Sequence, residues 1–329
     1  MSQAGSSGRV TSDQTPNFTV TMMHHPCHHV PDLQEAEAWF KRVFGRESTG
    51  QDANLSKLPM VQGWWPRDYC LWTPIRDVLF DSIDPKLFVT DNDGLQRWPT
   101  VEKPHLEDLG WSVDGMTGAF RRIKEYGLHA TRSTLELVEG DDPPTGPNDP
   151  APFFLLPEEV GRRYRFYPAD PFPADPRCQP GWTLGSVSDG DPLGIQCSSH
   201  HTVLTDRPER ALRLYVDVLN GTIVHEGRDD LRGLNSTFVY FAGSMLEFAV
   251  PDLDTAAHAD WLLNQPLDTY HAITWKVADL ARTVEHLESQ GTKIAMRSAD
   301  TIVTDPDTSL GIPWGFTTKF VQGDPRADG

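Results

Sequence analysis

A strand, a capping residue and an amphipathic helix recur in the same order four times along the 329-residue chain. Self-similarity of this kind constrains the fold more than any single motif, because each copy must become the same structural unit. In the first copy, HHPCHHVPDLQEAEAWFKRVFG from His24, Asp32 followed by Glu35 reads as a helix N-cap with a capping box. Leu33, Ala36, Phe40 and Val43 then form an apolar stripe that Gly45 ends. The third copy, HHTVLTDRPERALRLYVDVLNG from His200, repeats the plan with Asp206 as cap and Ala211, Leu214, Tyr215 and Val218 as stripe. Fifteen residues separate His25 from Phe40, and fifteen separate His200 from Tyr215. The second copy runs through a strand to Val113, a cap at Asp114 and a helix to Gly127; the fourth has a strand to Val277, a cap at Asp279 and a helix to Gly291. Strand-like stretches follow the helices at 77–84, 164–168, 236–251 and 314–321.

The proline-, glycine- and aspartate-rich stretch 169–194 divides the copies two and two. The expected organisation is a flexible tail at 1–19, one domain at 20–168, the linker, a second domain at 195–321 and a short tail at 322–329. A net charge of −18 opposes binding to nucleic acid. No run approaches the length of a membrane span, and the first residues lack the apolar core of a secretory signal. Four scattered cysteines with no close pair imply reduced thiols and a cytoplasmic location.

The densest cluster of possible metal donors is MMHHPCHHVPDL, residues 22–33. It leads into a capped helix, so it should be extended, with His25, Cys27 and His29 on one face and His24, Pro26 and His28 on the other. Neighbours on one face of a strand lie about 6–7 Å apart, too far to surround one ion at the roughly 2 Å of a zinc–nitrogen bond. The run is therefore not a self-contained zinc motif. At most one of its histidines, His25 by spacing, occupies a ligand position.

The segments HHPCHHVPDLQEAEAWFKRVFG, HHTVLTDRPERALRLYVDVLNG, SMLEFAVP and HAITWKVADL resemble the vicinal oxygen chelate superfamily, which includes glyoxalases, bleomycin-resistance proteins and extradiol dioxygenases. The resemblance implies an α+β fold of four βαβββ modules, paired into two cup-shaped, mixed-sheet half-barrel domains. It also implies one divalent transition metal (Zn, Mn, Fe, Ni or Co) on an inner face, held by side chains from first and last strands. Carried over, the C-terminal set is His200 (or His201), Glu247 and His271, with Glu247 either a ligand or the catalytic base. Thr317 or Gly315 stands where the family usually has a second glutamate. Trp314 and Thr317 are the expected substrate contacts. The N-terminal set is His25, Asp81, Asp108 (with His105 nearby) and Arg165, a degenerate site because an arginine repels a cation. The segment RRYR at 162–165 is either an anion-holding group or a solvated edge strand. Of the remaining tryptophans, Trp64, Trp65, Trp72, Trp111 and Trp275 read as core or pocket lining; His258 and His286 read as surface residues.

Two histidines and a carboxylate suit a metal that keeps open positions for adjacent substrate oxygens. The expected activity is a metal-stabilised enediolate reaction on a small oxygenated substrate, by an epimerase, isomerase or glyoxalase-like lyase. The rivals are an Fe(II) extradiol-type ring-cleaving dioxygenase and a resistance-type binding protein without turnover. The expected partner is a small molecule with adjacent oxygens, without nucleic acid or membrane; a homo-oligomer is left open. From sequence, His271→Ala should abolish metal retention and His25→Ala should leave it.

Overall fold

The computed structural model describes residues 17–50, 69–87, 99–132, 136–145, 151–169 and 175–328. The N-terminal half contributes β1 (Thr19–His29), β2 (Thr49–Gly50), β3 (Cys70–Ile75), β4 (Val78–Ile83), β5 (His105–Asp114), β6 (Ala130–Thr131), β7 (Phe153–Leu155) and β8 (Tyr164–Pro168). The C-terminal half contributes β9 (Ile195–Leu204), β10 (Thr222–Asp229), β11 (Leu234–Phe241), β12 (Ser244–Pro251), β13 (Thr269–Val277), β14 (Ile294–Arg297), β15 (Thr301–Thr304) and β16 (Gly315–Thr317). Each half makes one mixed sheet, ordered β2-β3-β4-β1-β5-β8-β7-β6 and β10-β11-β12-β9-β13-β16-β15-β14. The identical order is the fourfold repeat made physical. Each first strand runs parallel to the last strand of its own module, which requires a crossover, and the module's helix supplies it. Antiparallel pairing of β1 with β5, and of β9 with β13, joins two modules into one sheet.

Two of the four expected caps hold. Asp32 accepts from the amides of Gln34 and Glu35, and Asp279 from those of Ala281 and Arg282. The other two expectations are corrected. Asp114 ends β5, and Gly115 caps the next helix at φ 79°, a conformation that favours glycine; a Cβ there would also meet the Asn17 carbonyl at 2.6 Å. In the third module Arg207 is the cap and Pro208 begins the helix, its fixed φ suited to the first turn.

The helices lie between the sheets and pack across the halves. Phe44, following the first helix, meets Trp275 and Trp314 of the C-terminal half, with ring centroids 6.1 and 5.1 Å away. Reciprocally, Tyr215 packs on Trp111 and Tyr164, and its hydroxyl accepts from the Trp111 indole at 3.0 Å. Trp314 is thus a core residue. Its ring is enclosed by Trp39, Phe40, Phe44, Phe80 and Trp275, and its indole N–H donates to the Ser309 carbonyl. The expectation that Trp314 contacts substrate is therefore corrected. Its side chain points to the apolar layer between the sheets. Trp111 and Trp275 are core as well, whereas Trp72 sits beside His25; Trp64 and Trp65 lie outside the described residues. His286 is half-buried and bonded to the Val43 carbonyl at 2.9 Å, tying the two halves together. The solvated-edge reading of residues 162–165 also fails: β8 lies between β5 and β7, and Arg162 and Arg165 are buried.

Candidate metal centre

Strand register places the candidate residues of the two cups in corresponding positions. Cys27 pairs with Asp81 as Thr202 pairs with Glu247. His25 lies opposite Gly110, and Gly110 opposite Arg165, as His200 lies opposite Thr274 and Thr274 opposite Gly315. The N-terminal cup therefore offers His25, Asp81, Asp108 and Arg165 where the C-terminal cup offers His200, Glu247, Ala272 and Gly315.

The C-terminal set comes together only in part. His271 is the extra residue of a bulge between Tyr270 and Ala272, and its Nδ1 lies 2.6 Å from Asp260 Oδ2. A one-residue shift of register turns a side chain to the other face, so Ala272 takes the place expected of His271. Glu247 and His200 do approach, at 3.5 Å. However, Glu247 is already saturated. Arg232 donates to its two oxygens at 2.7 and 2.8 Å, Ser236 to one at 2.6 Å, and Thr202 to the other at 2.5 Å. Burial alone would raise the Glu247 pKa. The Arg232 guanidinium, His200 and these hydrogen bonds outweigh it and hold the carboxyl at about 2. A fixed guanidinium thus stands where a cation was expected, and Glu247 is neither a free ligand nor a poised base. His201 points elsewhere, its Nδ1 2.6 Å from the Tyr270 hydroxyl. Thr317 is buried with its hydroxyl on Thr301 Oγ1 at 3.0 Å.

The Glu247–Arg232 pair has a pH signature. The carboxyl titrates at about 2 when folded against an ordinary 4.5. The stabilisation is complete above pH 4.5 and is lost as pH falls toward 2. It amounts to on the order of 3 kcal/mol. Denaturant melts of the wild type and Glu247→Gln between pH 7 and pH 3 should therefore converge as acid is added.

The N-terminal cup is different. Among the described residues, one group of potential ligand atoms within 4.8 Å of one another is His25, Cys27 and Asp81. His25 Nε2 is 3.6 Å from Asp81 Oδ2, and Cys27 Sγ is 3.8 Å from the same oxygen. His25 is the one histidine of the run in this group, and Cys27 adds a second donor from the same run that the sequence alone did not mark as a ligand. It shares the face of His25, as alternation requires, and both side chains lean toward Asp81 on the adjoining strand. His24 corrects the alternation itself. The register shifts between Met23 and His25, and His24 as well as His25 meets the Tyr167 ring.

The donors fit a divalent cation. Both ring nitrogens of His25 and Oδ1 of Asp81 are buried without a hydrogen-bond partner, an arrangement proteins seldom tolerate unless a further group satisfies it. Burial raises Asp81 to about 7 and pushes the Cys27 thiol up, so both side chains are short of compensating positive charge. Burial also lowers His25 well below the usual histidine range, keeping its imidazole neutral as ligation requires. Arg165 does not block this group. Its Nε and Nη2 hold one oxygen of Asp108 at 2.7 and 2.6 Å. The arginine that made this cup look degenerate is thus neutralised by its neighbour.

Sequence reasoning passed over Cys27, Arg232 and a repeated Asp-Pro-Arg. Asp175–Arg177 and Asp324–Arg326 each form an internal ion pair. Arg177 donates to the carbonyl of His24 at 2.7 Å, and Arg326 to that of Ser199 at 2.7 Å, each the residue before the cup histidine. The repeated tripeptide was the available signal. It fastens the expected linker and the expected tail to β1 and β9.

With this geometry in place, the Glyoxalase/Bleomycin resistance protein/Dioxygenase superfamily model matches residues 198–308. That segment of the C-terminal half is similar to the superfamily. Both halves have the vicinal oxygen chelate fold, each as one pair of modules. The Mn(II)-bound glyoxalase from Novosphingobium aromaticivorans is similar over 93% of this chain and 85% of its own, with a TM-score of 0.55 and 11% identity. A mutant of 4-hydroxymandelate synthase from Streptomyces coelicolor is similar over 93% and 95%, with a TM-score of 0.58 and 13% identity. The 2,3-dioxygenase LapB from Pseudomonas sp. KL28 is similar over 94% and 95%, with a TM-score of 0.56 and 12% identity. At such identities the likeness is one of fold. No curated protein matches the chain. Among the described residues, no helix is long and apolar enough to cross a membrane.

Proposed function

We propose that the chain is a divalent-metal-dependent enzyme acting on a small substrate with adjacent oxygens, and that its centre lies in the N-terminal cup. The observation that carries this reading is His25, buried with neither ring nitrogen bonded, beside Cys27 and Asp81. Bound there, a cation would serve as a Lewis acid for the substrate's adjacent oxygens. His25, Cys27 and Asp81 would hold it. Arg165, fixed by Asp108, would orient an anionic group, assisted by Tyr167, whose hydroxyl lies 3.4 Å from Arg165 Nη1. Asp108 keeps Oδ1 buried without a hydrogen-bond partner and is the candidate proton acceptor. Trp72 and Tyr167 flank the His25 ring and help exclude water. The reaction class this supports is enolisation, as in an epimerase, isomerase or glyoxalase-like lyase.

Metal analysis and turnover together test the proposal, using full chain purified without chelator or affinity tag. Zinc, manganese, nickel or cobalt, with solvent hydrogen exchanging into a 2-hydroxy- or 2-oxo-carbonyl substrate and no oxygen uptake, is the expected result. Iron with oxygen consumption on catechols would replace it with the ring-cleaving dioxygenase. No retained metal, and melting unchanged by chelation, would leave a binding protein.

A further inference from the structure

Beyond that centre, four residues further along β1, a second set of donors faces the same strands. His29 pairs directly with His105 on β5, their rings 5.7 Å apart in a T-shaped arrangement. The register then shifts by a residue, leaving Glu107 and Asp108 together opposite Cys27. A bulge of this kind re-aims side chains. Here Asp108 goes to Arg165, and Glu107 goes to His105, on the side of His29. One ligand atom each of His29, His105 and Glu107 lies within 4.8 Å of the others. We propose that His29, His105 and Glu107 form a second site for a first-row divalent cation.

Two features set this group apart from an ordinary surface ion pair. The first is how His105 is held. Its Nδ1 lies 3.1 Å from the Lys103 carbonyl, which can only accept, so Nδ1 carries a proton and Nε2 is the nitrogen left to face Glu107 or a metal. That Nε2 is the atom 3.4 Å from Glu107. Histidines that bind metals are commonly oriented by this kind of hydrogen bond from the other ring nitrogen. The second is access combined with depth. The side chains of His105 and Glu107 are 42% and 36% exposed, while His29 is buried, so the group has a floor and an opening to solvent. Two imidazoles and a carboxylate suit zinc, cobalt, nickel or iron and leave coordination positions open. Among the described residues, the charged groups acting on the cluster include Arg162, Arg165 and Asp108. Arg165 is committed to Asp108, and Arg162 donates to the Asp268 carbonyl at 2.6 Å.

The test is zinc stoichiometry of the full chain, stripped with chelator and titrated with ZnCl₂ alone by calorimetry, repeated with Co(II) by visible absorption. The double variant His105→Ala/Glu107→Gln removes two half-exposed donors, and circular dichroism checks that it stays folded. The inference expects this variant to lose one zinc equivalent and the Co(II) band belonging to it, while His25→Ala does not affect that equivalent. Unchanged stoichiometry and an unchanged Co(II) spectrum in the double variant would overturn it. Loss confined to His25→Ala would overturn the second site and leave the proposed centre standing. Loss confined to the double variant would do the reverse. If the double variant misfolds, Glu107→Gln alone, which keeps the side-chain shape, must lower zinc affinity at one site; no change there would also overturn the inference.

Discussion

Replacing His25 with alanine should strip the N-terminal cup of its metal, whereas His271→Ala should leave metal content at the wild-type level. The sequence alone suggested the opposite, and the geometry reverses it. His25 has two uncommitted buried nitrogens next to Cys27 and Asp81, while His271 faces Asp260 from a bulge. Losing an outer-shell partner typically costs about 10–100-fold in metal affinity or activity, and loss of a direct ligand should exceed that. Asp81→Asn separates the metal's role from the fold. The metal-free protein carries a carboxyl with a pKa of about 7 against an ordinary 3.8, so its stability falls as pH rises through that interval. Asp81→Asn should remove this slope from the metal-free melts and abolish metal retention. Metal content measured on the three variants decides the matter: retention by His25→Ala with loss in His271→Ala would return the site to the C-terminal cup.

The largest expected loss of stability comes from Arg232→Met. Glu247 is fully buried, and Arg232 is its counter-charge through two hydrogen bonds. Removing one partner of such a pair leaves an uncompensated buried charge, which costs about 3–5 kcal/mol. Replacing both together, as in Arg232→Met/Glu247→Gln, should recover much of that loss, because the remaining amide can still bond to Ser236 and Thr202. Chemical denaturation of both variants and of the wild type at neutral pH is the measurement. A single variant as stable as the double would mean that the pair is not the link holding β11, β12 and the 229–232 turn together. Neither variant should lower metal content, since the proposed centres lie in the other half.

The repeat was legible from residues alone because hydrophobic spacing and capping chemistry are local. Fifteen residues from cup histidine to helix aromatic are the same in both halves, and Asp32 and Asp279 cap as their neighbours dictate. The hairpin at 236–251 and the strand at 164–168 were legible for the same reason. Which cup is suited to a metal was not legible. Four histidines in the run at 24–29 and the pair at 200–201 look alike as letters, and an arginine at a ligand position looks disqualifying. That arginine is paired with Asp108 on the adjoining strand. The arginine that matters in the other cup, Arg232, comes from a turn with no motif to mark it.

The sequence by itself determined the module and its fourfold copying, because these follow from periodicity within about twenty residues, while the pairing of the copies was only what the resemblance implied. Only the tertiary structure decided which donors meet. Bulges at His24, Glu107–Asp108 and His271 each re-aim side chains by a residue, and spacing along the chain cannot register such a shift. Charge compensation is decided there too, since Arg165 reaches its carboxylate from the neighbouring strand and Arg232 from a turn, at sequence separations of 57 and 15 residues. The physical reason is the same in both cases. A ligand set or an ion pair is a property of distances between strands, and those distances exist only once the sheets have formed.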